Sequence, residues 1–211
     1  MCKDDLFVLC SLWEVRAPLR SFFSPDPGLG FNLPYKPLDC RRSIIKLLNH
    51  GFINVNSSLN DYFFKDGESL MISHDNRDQD EYILGLTKFG GGLWEYYLKP
   101  DWSKYVSGLD FWEGDGEAYY YFIVSDKNNA DLIIDKIQKS DSHDGFYIQA
   151  KDFSHLTYWK KMSCYRIKCF GRGNGIKGAL GFKNLFLYDI LDESCRKFND
   201  EILVKLFALF K

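Results

Sequence analysis

Between Tyr82 and Leu98 the apolar residues change their period, and this change constrains the fold more than any other stretch. Tyr82-Ile83-Leu84-Gly85-Leu86 is a short apolar run of strand length. A Leu-Thr-x-x-Gly turn follows, and after Gly90-Gly91-Gly92 the residues Leu93, Trp94, Tyr97 and Leu98 recur at helical spacing until Pro100. Upstream, Asp39 is a candidate N-cap for a helix over 40–49, whose Ile44, Ile45, Leu47 and Leu48 form an apolar face and which Gly51 ends. Phe52-Ile53-Asn54-Val55 then reads as a strand. The chain therefore predicts helix, strand, long insert, strand and helix, with Tyr62-Phe63-Phe64 and Leu70-Met71-Ile72 inside the insert.

An earlier helix is expected from Asp4, where two acids precede an apolar stripe through Trp13, and a short one over 18–23. Residues 24 to 37 carry Pro25, Pro27, Pro34 and Pro37 with Gly28 and Gly30, so that stretch is read as a loop. In this order, residues 4 to 106 resemble a winged-helix domain of the kind found in uncharacterised bacterial proteins. The 40–49 helix takes the recognition position, and Tyr82 to Gly91 takes the place of the returning wing strand and the turn after it. Trp94-Glu95 followed by Pro100-Asp101-Trp102 is similar to the same group, as is Leu156-Thr157-Tyr158-Trp159-Lys160. The resemblance implies a binding domain.

A content of 45% apolar residues, with 18 Phe, 13 Tyr and 5 Trp, is ample for a packed core. No apolar run approaches the roughly 20 residues of a membrane-spanning helix, so no membrane association is expected. The start of the chain lacks the basic and small-residue pattern of an export signal, which predicts a cytoplasmic protein. The six cysteines contain no Cys-x-x-Cys and are read as buried thiols rather than disulfides or metal ligands.

Charge is unevenly spread. Residues 56 to 81 hold seven acids against two bases, net -5, and residues 100 to 150 hold ten acids against four lysines, net -6. Residues 151 to 183 hold eight bases against Asp152, net +7. Such single-sign segments can steer a partner of opposite charge.

The second half predicts a strand over 118–125, a helix over 128–139 with Leu132, Ile133 and Ile137 inward, and strands over 145–150, 164–170 and 185–190. A closing amphipathic helix over 192–210 uses Phe198, Ile202, Leu206 and Phe210. The overall expectation is α+β, a winged helix over 1–107 followed by a small α+β module over 117–211 with a mainly antiparallel sheet. The boundary is placed in the Gly- and acid-rich stretch from Gly108 to Gly116.

His50, His74, His143 and His155 fit no nucleophile or metal pattern, so no catalytic residue, cofactor or metal is assigned. Gly171-Arg172-Gly173-Asn174-Gly175 lacks the Lys-Ser or Lys-Thr ending of a phosphate loop and reads as a hairpin. Lys160, Lys161, Arg166, Lys168 and Arg172 alternate with Tyr158, Trp159, Tyr165 and Phe170, a pattern that suits RNA or an acidic protein.

These residues lead to a non-catalytic protein-binding protein, most specifically an immunity protein that neutralises a basic toxin domain by direct contact. The candidate partner-binding residues are Asp75, Asp78, Asp80 and Glu81 in the insert and Asp110, Glu113, Asp115 and Glu117 beyond it. The alternative is a transcriptional regulator that reads DNA through Lys36, Arg41, Arg42 and Lys46. The acidic insert opposes that reading, since it would repel phosphate. Trp94 and Trp102 are both expected to be buried, holding the helix after the insert against the first helix near Leu9 and Trp13.

Overall fold

A computed structural model describes residues 1–14, 16–23, 40–57, 82–113, 117–139, 146–172 and 177–210. The chain is α+β, with five helices and two antiparallel sheets among these residues. It divides into two units, one of residues 1–99, 157–160 and 203–211, the other of 100–156 and 161–202.

The first unit is organised around α1 (Lys3–Leu12). Asp5 through Leu12 are all buried, so the helix is enclosed on every side rather than along the stripe its sequence suggests. The chain continues through β1 (Ala17–Pro18), a 3-10 turn (Leu19–Phe22), α2 (Arg41–Asn49), β2 (Ile53–Ser57), β3 (Tyr82–Leu86) and α3 (Lys88–Leu98). The three strands form a sheet in the order β1-β3-β2. Ile53 pairs with Leu86 and Ser57 with Tyr82 across β2 and β3, while Ala17 pairs with Leu84 from the other side. Because β3 is the middle strand, Tyr82, Leu84 and Leu86 are buried. Gly51, with φ of 70°, ends α2 in a left-handed conformation that glycine adopts without strain.

The start of α3 explains the Leu-Thr-x-x-Gly spacing. Thr87 is the N-cap, and its Oγ1 accepts the Gly90 N–H at 3.1 Å while donating to the Gly51 carbonyl at 2.6 Å. One hydroxyl thus ties the end of α2 to the beginning of α3. Position 90 must be glycine because a Cβ there would lie 1.8 Å from the Phe52 carbonyl oxygen. The three glycines are therefore the first turns of the helix, not a turn ahead of it.

The second unit contains a 3-10 turn (Trp102–Lys104), β4 (Val106–Glu113), β5 (Glu117–Val124), α4 (Lys127–Lys139), β6 (Phe146–His155), β7 (Lys161–Arg172) and most of α5 (Lys177–Phe210). The sheet order is β4-β5-β7-β6, antiparallel throughout. Val106, Phe122, Val124, Ile167 and Cys169 from the strands enclose a core with Ala130, Ile133 and Ile137 of α4 and Ile190 of α5. All six cysteines are free thiols, with Cys10, Cys40, Cys164 and Cys169 buried.

Four expectations are corrected. Leu132 of α4 is 58% exposed, because Ala130, Ile133 and Ile137 form the face that meets the core. Residues 185–190 are helical, within α5, and not a strand. The Gly108 to Gly116 boundary is in large part a strand: Val106 to Glu113 pair residue for residue with Glu117 to Val124, and this pairing overrides the linker-like composition. Trp102 is only half-buried and belongs to the second unit, where it stands 5.6 Å from both Tyr105 and Phe198.

No helix among the described residues is long and apolar enough to cross a membrane. Among them, no three His, Cys, Asp or Glu side chains converge as a metal site would require.

Candidate functional site

On α2, the helix that the DNA-reading alternative would use, the cations divide. Lys46 Nζ lies 2.6 Å from Asp5 Oδ2, and the Asp5 side chain is 1% exposed. Burial raises the Asp5 carboxyl, but its hydrogen bonds to Lys46 and to the Cys2 backbone N–H outweigh that and hold it below the usual carboxylate range. The same bond holds the Lys46 ammonium above its ordinary value. Arg41 places its guanidinium 5.6 Å from the Phe23 ring centroid. Arg42 is exposed. The ion pair and the ring stack turn two of the three basic residues of α2 toward internal contacts.

The face of α3 opposite Trp94 and Leu98 is apolar and open. Phe89 is 77% exposed and Tyr96 70%, seven residues apart and so on one side of the helix, with exposed Gly92 between them. Leu93, Trp94, Tyr97 and Leu98 recur at helical spacing in the sequence, and Phe89 and Tyr96 lie outside that set. The signal for this pair was available, because Phe89 and Tyr96 fall out of phase with the buried positions Trp94 and Leu98.

The segment 157–160 supplies the clasp of the first unit. The Tyr158 hydroxyl donates to the Leu12 carbonyl and accepts the Leu86 N–H at 2.6 Å. Trp159 Nε1 donates to the Trp13 carbonyl at 2.6 Å, and Lys160 pairs with Glu95. Tyr158, Trp159 and Lys160 thus leave the basic-aromatic run that sequence spacing gave to RNA or an acidic protein; they join α1, β3 and α3. Burial pushes the Tyr158 phenol up to about 12, partly countered by the Leu86 N–H and by Arg16, whose guanidinium lies 5.3 Å from the ring.

That shift has a sign. A folded-state value above the unfolded one near 10 adds stability that is complete below about pH 10 and is lost as the pH rises toward 12. Tyr158→Phe should cost about 1 to 3 kcal/mol at neutral pH, because the Leu12 carbonyl and Leu86 N–H lose their partner. Urea unfolding at pH 7 and pH 11 checks this: the gap between wild type and variant should narrow at the higher pH.

In the second unit, Asp110 and Glu113 lie in β4 and Glu117 in β5, with Glu113 opposite Glu117 at the end of the hairpin. Lys36, Asp75, Asp78, Asp80, Glu81 and Asp115 lie outside the described residues. A cavity of about 320 Å³ is lined by Lys104, Lys136 and Lys197 over Val106 and Ile133. Two of these cations face acids already: Lys104 is 2.8 Å from Glu201 and Lys136 2.6 Å from Glu193. On β7, Ile167 and Cys169 are buried while Arg166 and Lys168 between them are half-buried, so the alternation expected of this strand is present.

No family model, no curated protein and no solved structure matches this chain.

Proposed function

We propose that the chain is a non-catalytic binding protein whose first unit is a winged helix used to dock another protein. Its most specific form is an immunity protein that neutralises a toxin domain by direct contact. The observation that carries the reading is the exposed pair Phe89 and Tyr96 on α3, since aromatic side chains are enriched where proteins meet and an open aromatic stripe is otherwise costly to leave in water. The succession of α1, the 3-10 turn, α2, β2 and β3 in the first unit supports the winged-helix reading. Lys46 and Arg41 favour protein over DNA as the partner, because their internal contacts compete with phosphate.

Glu113 and Glu117, opposite one another at the hairpin end, supply negative charge suited to a basic partner such as a nuclease domain, while Asp110 falls by register on the sheet face of Val106 and Phe122. Changing Glu113 and Glu117 to Lys should slow association strongly at low salt and less at high salt. An unchanged rate at low salt removes the hairpin from the interface.

The test of the reading uses the intact chain as bait against an extract of its source cells, with retained proteins identified by mass spectrometry. One basic protein retained by wild type and lost from a Phe89→Ala, Tyr96→Ala double variant is the expected result. A random duplex of about 30 base pairs should show no retention above a neutral control at physiological salt. Submicromolar, sequence-selective binding to an oligonucleotide, lost in Arg42→Ala, would instead establish the DNA-reading alternative.

A further inference from the structure

The face of the second unit's sheet that looks away from its core has an unusual composition. Phe122, Val124, Ile167 and Cys169 point into the core, so Tyr121, Ile123, Arg166 and Lys168 belong to the opposite face. There the Arg166 guanidinium carbon stands 4.1 Å from the Tyr121 ring centroid and Lys168 Nζ 5.6 Å from the same centroid. Two cations thus flank one aromatic ring.

Register extends the pattern. Tyr121 is opposite Lys168, which is opposite Gln149 on β6; Ile123 is opposite Arg166, which is opposite Lys151. One rung toward the hairpin, Tyr119 is opposite Phe170, and Phe170 is opposite Tyr147. Three successive rungs therefore hold three cations and a row of aromatic positions across β5, β7 and β6, with no acid among them. The first carboxylates on this side, Glu113 and Glu117, sit at the hairpin end, where Glu117 is opposite Arg172. A sheet face built only to meet water would carry mainly polar residues.

We infer that this face binds single-stranded nucleic acid, with Arg166 and Lys168 meeting phosphates and the Tyr121 ring between them meeting a base. Charge complementarity selects a polyanion, and aromatic positions beside the cations select one that carries flat rings rather than an acidic peptide. The width of the face, four strands spaced about 4.8 Å apart, suits an extended strand laid across it. This site is in the second unit and does not depend on the protein-docking role of α3.

The experiment measures fluorescence anisotropy of labelled oligouridine and oligothymidine of about 12 nucleotides, a length within the usual range of single-strand sites, with the intact chain. Micromolar binding is expected, with affinity falling as salt rises by about 0.7 logarithmic units per phosphate contact. An Arg166→Gln, Lys168→Gln variant with an unchanged circular dichroism spectrum should reduce that slope by about 1.4 and weaken binding roughly tenfold or more. A comparison of the two oligonucleotides tells RNA from DNA. Should the double variant fail to fold, cross-linking of wild type to oligo-4-thiouridine replaces it, and adducts in the β5 and β7 peptides are expected. Absence of binding, adducts confined elsewhere, a slope unchanged in the folded variant, or equal competition by poly-glutamate would each overturn the assignment.

Discussion

Gly91→Ala is expected to lower stability by about 3 kcal/mol or more, and Gly90→Ala by a similar amount, although both changes raise helix propensity by about 1 kcal/mol. A Cβ at position 91 would lie 1.9 Å from Trp159 Cε3, and that indole cannot swing away without breaking its bond to the Trp13 carbonyl. At position 90 the obstacle is the Phe52 carbonyl oxygen at 1.8 Å, which the Thr87 N–H holds at 3.0 Å. The third glycine reverses the sign. Gly92 is exposed and has nothing within 4 Å of its would-be Cβ, so Gly92→Ala should stabilise by about 0.5 to 1 kcal/mol. Thermal unfolding of the three variants provides the check. In a chain of this size a loss of about 3 kcal/mol moves the midpoint by roughly 6 to 12 °C. Equal shifts in all three would show that propensity alone governs α3 and that its close approaches to Phe52 and Trp159 are absent.

The triplet also shows which parts of the fold could be read in advance. Thr87 and Gly90 announce a helix start through local chemistry, a hydroxyl cap and a missing side chain, and the strand before them has the length and composition of a strand. The α2 helix was legible for the same reason: Ile44, Leu47 and Leu48 repeat at helical spacing and Gly51 stops it. Residues 185–190 misled because six mostly apolar residues fit a buried strand or a buried helix equally, and only the continuous 34-residue length of α5 decides. Asp110 and Glu113 looked like linker because Gly and acidic residues dominate the composition there; yet Glu113 pairs with Glu117 only four residues on, and Gly114-Asp115-Gly116 between two strand-length runs is a hairpin signal that the composition obscured.

Of the candidate site, charge was legible and commitment was not. Lys46 has the composition of a phosphate contact, yet its partner Asp5 lies 41 residues away, and Tyr158 finds its carbonyl 146 residues away at Leu12. Long-range contacts of this kind leave no period or spacing behind. The Arg166 and Lys168 alternation could be read because a strand's two faces are a local property.

Trp94→Ala carries the other large expectation, a loss of about 3 to 5 kcal/mol. Trp94 is 0% exposed, its ring stacks on Trp13 with centroids 5.1 Å apart and planes 9° from parallel, and it meets Trp159 edge-on at 6.2 Å. Three indoles therefore join α1, α3 and the 157–160 segment, and removing the middle one opens a cavity between partners that are each held by backbone bonds. Burial also pushes the neighbouring Cys10 thiol well above its ordinary value, an effect the Trp94 indole partly counters. Phe at this position restores much of the ring area and should recover part of the loss, whereas Ala should not. Trp102→Ala is the control, since Trp102 is half-buried against Tyr105 and Phe198 in the second unit and should cost less. Urea denaturation followed by fluorescence of the remaining tryptophans gives both numbers. A loss at Trp94 below about 1 kcal/mol would mean that the three-indole stack does not hold the first unit together, and would move α3 from a fixed platform to a mobile one.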